Sequence, residues 1–208
     1  MFSDPDSVIK QSYVAEGMTV ADFGAGIGFY ALALAKKVGE YGRVFAIDVL
    51  PDHLRKLSNE AARQGLNNIE LIQSDLEAEN GSGLLAASVD RIIIANTLFK
   101  ADHPEKIVNE AKRILKHDGK VAVVDWIDSF SQIGPHPDDV VTKEEARKYF
   151  EDADFVLESF IDAGSHHYGL LYVLAPKPIA GFEKNMKRSR PAKEINPELE
   201  VPPVSLME

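Results

Sequence analysis

Val20-Ala21-Asp22-Phe23-Gly24-Ala25-Gly26-Ile27-Gly28 is the stretch on which the fold turns. It joins an apolar, β-prone run at residues 19–23 to a helical pattern, the setting in which glycines shape a ligand turn. Gly24 permits a tight turn, Gly26 lets a ligand approach bare backbone, and Gly28 lets the following helix pack closely. The spacing is G-x-G-x-G; a dinucleotide turn would carry a small residue where Phe29 stands. Asp22 beside the turn would repel phosphates and attract an ammonium group. Taken alone, such a turn also fits a plain tight connection.

Outward from the turn, apolar runs alternate with helical patterns, which predicts βαβ units around a parallel sheet. The runs lie at residues 19–23, 44–47, 69–72, 91–95 and 120–125. The first helix places Ile27, Tyr30, Ala31, Leu34, Ala35 and Val38 on one face and stops at Gly39. A second covers 51–64 and stops at Gly65, with Leu54, Leu57 and Ala61 inward. A third follows Pro104, with Ile107, Ala111, Ile114 and Leu115 inward and Lys106, Asn109, Glu110, Lys112 and Arg113 in solvent. Gly119 is then read as a turn. A Pro-rich loop spans 127–141, and Thr142 with Glu145 forms a capping box that opens a helix through Phe150. Runs at 155–161 and 168–174, separated by the loop 162–167, predict an antiparallel hairpin.

The 208 residues, 45% of them hydrophobic, suit one α/β domain over residues 1–176. Six of the eleven prolines and the basic cluster Lys184, Lys187, Arg188 and Arg190 fall beyond Ala175, and 177–208 is read as an extended or disordered tail. No signal-peptide pattern or long apolar run is present, so a cytoplasmic protein outside the membrane is expected, as a monomer or homodimer. The absence of cysteine removes disulfides, thiolate metal sites and cysteine nucleophiles. A formal charge of −10 argues against a phosphate-backbone footprint and hence against nucleic acid.

Acids follow the later strands. Asp48 closes the second strand about 20 residues beyond the glycines, where a carboxylate accepts from ribose hydroxyls. Asp75, in Gln73-Ser74-Asp75-Leu76, can accept from an adenine amino group while Leu76 packs on the ring. With VFAIDV, QSDLEAE and RILKHDGKVAVVDW, the chain over residues 15–176 resembles the class I S-adenosylmethionine-dependent methyltransferases. The resemblance implies a Rossmann-like, doubly wound seven-stranded sheet of order 3-2-1-4-5-7-6 with strand 7 antiparallel. It also implies S-adenosyl-L-methionine as cofactor. Gly24, Gly26 and Gly28 would contact its amino acid half, Asp22 its ammonium, Asp48 with Val49 its ribose, and Asp75 with Leu76 its adenine. Asn96 would line the methyl-transfer cavity. The small-molecule branch that includes quinone-biosynthesis C-methyltransferases is the nearest in pattern, and residues 17–48 are also similar to protein-repair isoaspartyl methyltransferases. Neither the Pro-Pro-Tyr of base-modifying amino-methyltransferases nor the cysteines of arsenite methyltransferases are present.

Ligands of open α/β sheets bind at the carboxyl ends of the strands. His53, His103, His136, His166 and His167 map to that edge and His117 to the opposite one. His166 and His167, in the hairpin loop, are the candidate general bases for a small-molecule acceptor. Trp126, Tyr168, Phe99 and Phe130 are candidates for its pocket. Asp125, His136, His166 and His167 offer a weaker alternative, a metal cluster, but histidine spacing across different loops fixes no geometry, and no metal is assigned. A nicotinamide oxidoreductase of the short-chain type would need Tyr-x-x-x-Lys, which none of the six tyrosines provides. A non-catalytic Rossmann-like scaffold is the remaining alternative.

Overall fold

The computed structural model describes residues 3–130 and 134–176. The strands are β1 (Thr19–Phe23), β2 (Arg43–Asp48), β3 (Ile69–Gln73), β4 (Val89–Ala95), β5 (Leu115–Trp126), β6 (Phe155–Phe160) and β7 (His167–Leu174). The helices are α1 (Pro5–Gln11), α2 (Phe29–Val38), α3 (Pro51–Arg63), α4 (Pro104–Ile114) and α5 (Lys143–Asp152). They build one sheet of order β3-β2-β1-β4-β5-β7-β6, in which β7 runs antiparallel to both neighbours, as expected. The chain steps outward from β1 to β3, then returns to β4 on the other side of β1. The loops leaving β1 and β4 therefore diverge, and a crevice opens between their carboxyl ends.

Both sheet faces are covered, which is why the central strands read as unbroken apolar runs. Ile92 and Ile94 of β4 point into a cluster with Ile107 and Ile114 of α4 and Phe150 of α5. Ile93, one residue out of phase, packs with Leu34 and Val38 of α2 and Leu57 of α3 on the opposite face. Gly39 and Gly65, both at positive φ, stand just past α2 and α3 where chain-stopping glycines were expected.

Four expectations are corrected. The helix α1 has no counterpart in the sequence reading; Asp4 caps it, Pro5 opens it, and Val8 and Ile9 bury its inner side. β5 begins at Leu115 rather than residue 120, and Gly119 lies inside it. Pairing jumps from Val89 with Leu115 to Arg91 with Lys120, so the polar residues between them bulge out. A Cβ on Gly119 would overlap the Leu115 side chain, so only glycine fits that bulge. Ile27 precedes α2 and is 42% exposed instead of lying on its inner face. Glu110 was placed in solvent by its position on the polar stripe of α4, yet it is 6% exposed. The loop carrying Ser82 folds over it, and Glu110 accepts from the Ser82 N–H at 2.8 Å and from Arg113. The expected tail, 177–208, lies outside the described residues.

The capping box of α5 is present on both sides: the Glu145 N–H donates to Thr142 Oγ1 at 3.2 Å, and the Thr142 N–H donates to Glu145 Oε2 at 2.9 Å. Thr142→Ala is expected to lower unfolding free energy by about 1 kcal/mol, read as a shifted urea midpoint at unchanged slope. No shift would show that the cap carries none of the stability.

Candidate functional site

The glycine turn is tied to its neighbours on three sides. The N–H groups of Gly24 and Ala25 both donate to the Ile47 carbonyl at 2.9 Å, which pins the turn to the end of β2. A Cβ on Gly24 would run into the Thr97 hydroxyl, and that hydroxyl donates to the Phe23 and Ala95 carbonyls at 3.0 Å. Thus the loops after β1 and β4 are stitched together beneath the crevice. Gly28 has φ +99 and no room for a side chain against Leu57, so it sets the close packing of α2 on α3. Gly26 differs from both: a Cβ there meets nothing nearer than the Gly24 carbonyl at 4.0 Å. Its N–H donates to Asp48 Oδ2 at 2.7 Å.

Asp48, buried at the end of β2, also accepts the Leu50 N–H at 2.9 Å on Oδ1. His53 Nδ1 lies 3.3 Å from the same oxygen, off line for a hydrogen bond. Asp75 is exposed and accepts the Glu77 N–H at 2.9 Å. Asp48 and Asp75, with Val49, Leu50 and Leu76, wall a hollow of about 600 Å³. A second hollow, of about 690 Å³, is lined by Asp22, Gly26, Ile27, Phe29 and Asn96. Gly24, His53 and Lys100 line both, so the hollows share a seam. Gly28 lines neither, whereas Phe29, 72% exposed, lies over the second.

Two acceptor atoms in the second hollow lack donors among the described residues: Asp22 Oδ2 and Asn96 Oδ1. Buried acceptors left this way are expensive unless water or a ligand satisfies them. Burial pushes the Asp22 carboxyl up to about 7, against a lowering hydrogen bond from the Ala31 N–H and with a further raise from Asp48. Asn96 holds a left-handed backbone at φ 53, and its N–H donates to the Val124 carbonyl at 2.8 Å. Such strain at a non-glycine residue tends to accompany function.

The neighbouring loops are organised by Asp125 at the end of β5. It accepts the Trp126 N–H at 2.9 Å and the Leu98 N–H at 3.1 Å, fixing the short turn Leu98–Lys100. Burial raises this carboxyl to about 6 despite those donors. His167 is the first residue of β7, paired with Trp126, and not a loop residue as the sequence suggested. It is 4% exposed, its ring sits 4.4 Å from that of Trp126, and neither ring nitrogen finds a partner among the described residues. Burial, with His166 beside it, holds its pKa below the usual imidazole range. The His166 ring meets Phe130 edge-on at 4.5 Å. Neither histidine lines the two hollows described. Tyr168 is a strut, its hydroxyl donating to the Val141 carbonyl at 3.1 Å. His103 and His136 cap α4 and the turn Pro137–Asp139. Among the described residues no group of three or more potential metal ligands gathers, and no helix is long and apolar enough to cross a membrane. Sequence reasoning missed Thr97 and Lys100, although both follow β4 at the ligand edge.

Residues 15–166 match the family model described as a methyltransferase domain. The crystal structure of a SAM-dependent methyltransferase from Aquifex aeolicus is 33% identical, with a TM-score of 0.75 over 82% of this chain and 89% of that one. Arsenite methyltransferase of Halobacterium salinarum is 29% identical over 61% of this chain and 31% of its own length. Aklanonic acid methyltransferase DauC of Streptomyces sp. strain C5 is 34% identical over 51% of this chain and 47% of its own length. The chain therefore spans less than half the length of these curated relatives.

Asp22 links the site to pH. The native carboxyl keeps its proton up to about 7, whereas the unfolded chain releases it near 3.8. The resulting stability is fully present below the unfolded value and is lost as pH rises through the native one. Asp22→Asn is therefore expected to be more stable than the parent at pH 8 by on the order of 2–4 kcal/mol. The gap should close towards pH 4, as read by denaturant unfolding at both pH values. Equal stability at pH 8 would contradict a buried, ionising Asp22.

Proposed function

This chain belongs to the methyltransferase-domain family, and on that premise we propose that it moves a methyl group from S-adenosylmethionine to a small-molecule acceptor by in-line displacement. The observation that carries the proposal is the pair of adjoining hollows, one edged by Asp48 and Asp75, the other by the donor-starved oxygens of Asp22 and Asn96. That division suits a ligand with a hydroxylated nucleoside at one end and an ammonium at the other. Bound there, the cofactor supplies a methyl group already activated on a sulfonium.

The chain's own residues bind and orient. Asp48 keeps an unused lone pair on each oxygen for ribose hydroxyls after holding Gly26 and Leu50. Asp75 accepts from the adenine amino group, with Val49 and Leu76 as apolar walls. Asp22 takes the ammonium, and its ionised form is favoured once that charge arrives. Gly24 and Gly26 offer bare backbone, while Gly28 acts through the packing of α2. Such alignment supplies much of the acceleration that methyl transfer needs.

The acceptor is placed beside Asn96, at the sheet edge where β5 ends at Trp126 and β7 begins at His167. His167 is assigned as base for an acceptor proton, a role that requires the acceptor to reach past the two hollows to the buried ring at the β5–β7 edge. Arsenite and aklanonic acid, the acceptors in the relatives' names, are both small molecules. Arsenite itself is not adopted, because a chain without cysteine offers none of the thiolates that suit a soft ion.

Calorimetry with S-adenosylhomocysteine and with NADH tests the cofactor: the first is expected to bind and the second not, and preference for NADH would overturn the proposal. Asp48→Ala should weaken the S-adenosylhomocysteine complex by about 1–3 kcal/mol, the range for a lost bond to a charged group. An unchanged dissociation constant would remove Asp48 from the site. His167→Gln, which keeps polar volume, should lower kcat by about 10²-fold with cofactor affinity intact. Loss of cofactor affinity instead would make His167 a structural residue.

A further inference from the structure

The seam between the hollows is basic, although the walls on either side are acidic. Of the three residues that line both hollows, one is glycine and the others are His53 and Lys100. The remaining charged wall residues are Asp22, Asp48, Asp75 and Glu77. Lys100 makes no salt bridge among the described residues, as Lys10, Lys36, Lys37, Lys56 and Lys106 make none, but it differs from them in lining the hollows, and its charge also acts on Asp125. Its ammonium instead stands 5.1 Å above the Phe99 ring. The turn bearing it is fixed by the Leu98 N–H bond to Asp125. The His53 ring, by contrast, stands against Asp48, its Nδ1 3.3 Å from Oδ1.

Resting on the methyltransferase reading, we propose that Lys100, at the seam, recognises an anionic group on the acceptor, so that the substrates are small carboxylic acids or comparable anions. The carboxylates of Asp48, Asp75 and Glu77 around the hollows would repel such a molecule, and the Lys100 ammonium at their junction supplies the opposing charge. A lysine suits this task because its compact charge rides on a flexible stem and demands no planar geometry from the ligand. The same charge could equally hold a carboxylate belonging to the cofactor, and the test separates the two sources.

The test loads the full chain with S-adenosylhomocysteine and titrates 1-naphthoate against its neutral counterpart 1-naphthamide by calorimetry. The wild type is expected to prefer naphthoate by about fivefold, the upper range for an exposed ion pair. Lys100→Gln should abolish the preference and Lys100→Arg retain it, each variant being titrated at saturating S-adenosylhomocysteine. Equal binding of the two probes to the wild type overturns the proposal. So does a Lys100→Gln protein that keeps the preference, or one that loses S-adenosylhomocysteine affinity by the same factor, since the ammonium then serves the cofactor. A wild type that binds no S-adenosylhomocysteine overturns the methyltransferase reading itself, and this inference with it.

Discussion

The carboxylate of Asp48 accepts the Gly26 N–H on one oxygen and the Leu50 N–H on the other, so a single buried side chain fixes the glycine turn after β1 and the chain leading into α3. Bonds of this kind, between a charged acceptor and backbone donors, are among the stronger ones in proteins. Gly26 has a left-handed backbone and open space before it, so without that tether little else would hold its N–H in place. Everything on the ligand side is referred to this point: Val49 and Leu50 flank one hollow, Gly26 lines the other, and the seam lies between them.

The topology makes the tether useful. Because strand order reverses between β1 and β4, the loops from their carboxyl ends part, and Thr97 bridges them underneath while leaving the rim open. Into this opening the fold places acids at some expense in stability. Asp22 and Asp125 are both driven towards their neutral forms by burial, yet they differ in what surrounds them. Asp125 spends its oxygens on backbone donors of the adjacent turn, which makes it a positioning residue. Asp22 leaves one oxygen without a donor, the mark of a group held ready for a ligand.

The parts of this arrangement that were legible in the sequence are those that depend on local pattern. The run 19–23 and the glycines after it announce a strand, a turn and a helix because each carries its own backbone preference, and β1 has the same bounds in the structure. Asp48 and Asp75 stand out in the sequence by their distance from the strand ends, and both line the first hollow. What escaped depends on contacts between distant segments. Glu110 looks solvated along its helix, and only the loop bearing Ser82 buries it. The polar residues 116–119 read as a turn, although β5 continues through them. His167 moved from loop to strand because pairing with Trp126 sets the hairpin register, which side-chain character does not reveal. Lys100 has the composition of any surface lysine, and its place at the seam emerges only when both hollows are assembled.

The most direct measurement is a crystal structure of the chain grown with S-adenosylhomocysteine. The account predicts continuous ligand density across both hollows, with ribose hydroxyls on Asp48, adenine beside Asp75 and Leu76, and the ammonium on Asp22. Density lodged elsewhere, with the Asp48 and Asp22 carboxylates untouched, would contradict it.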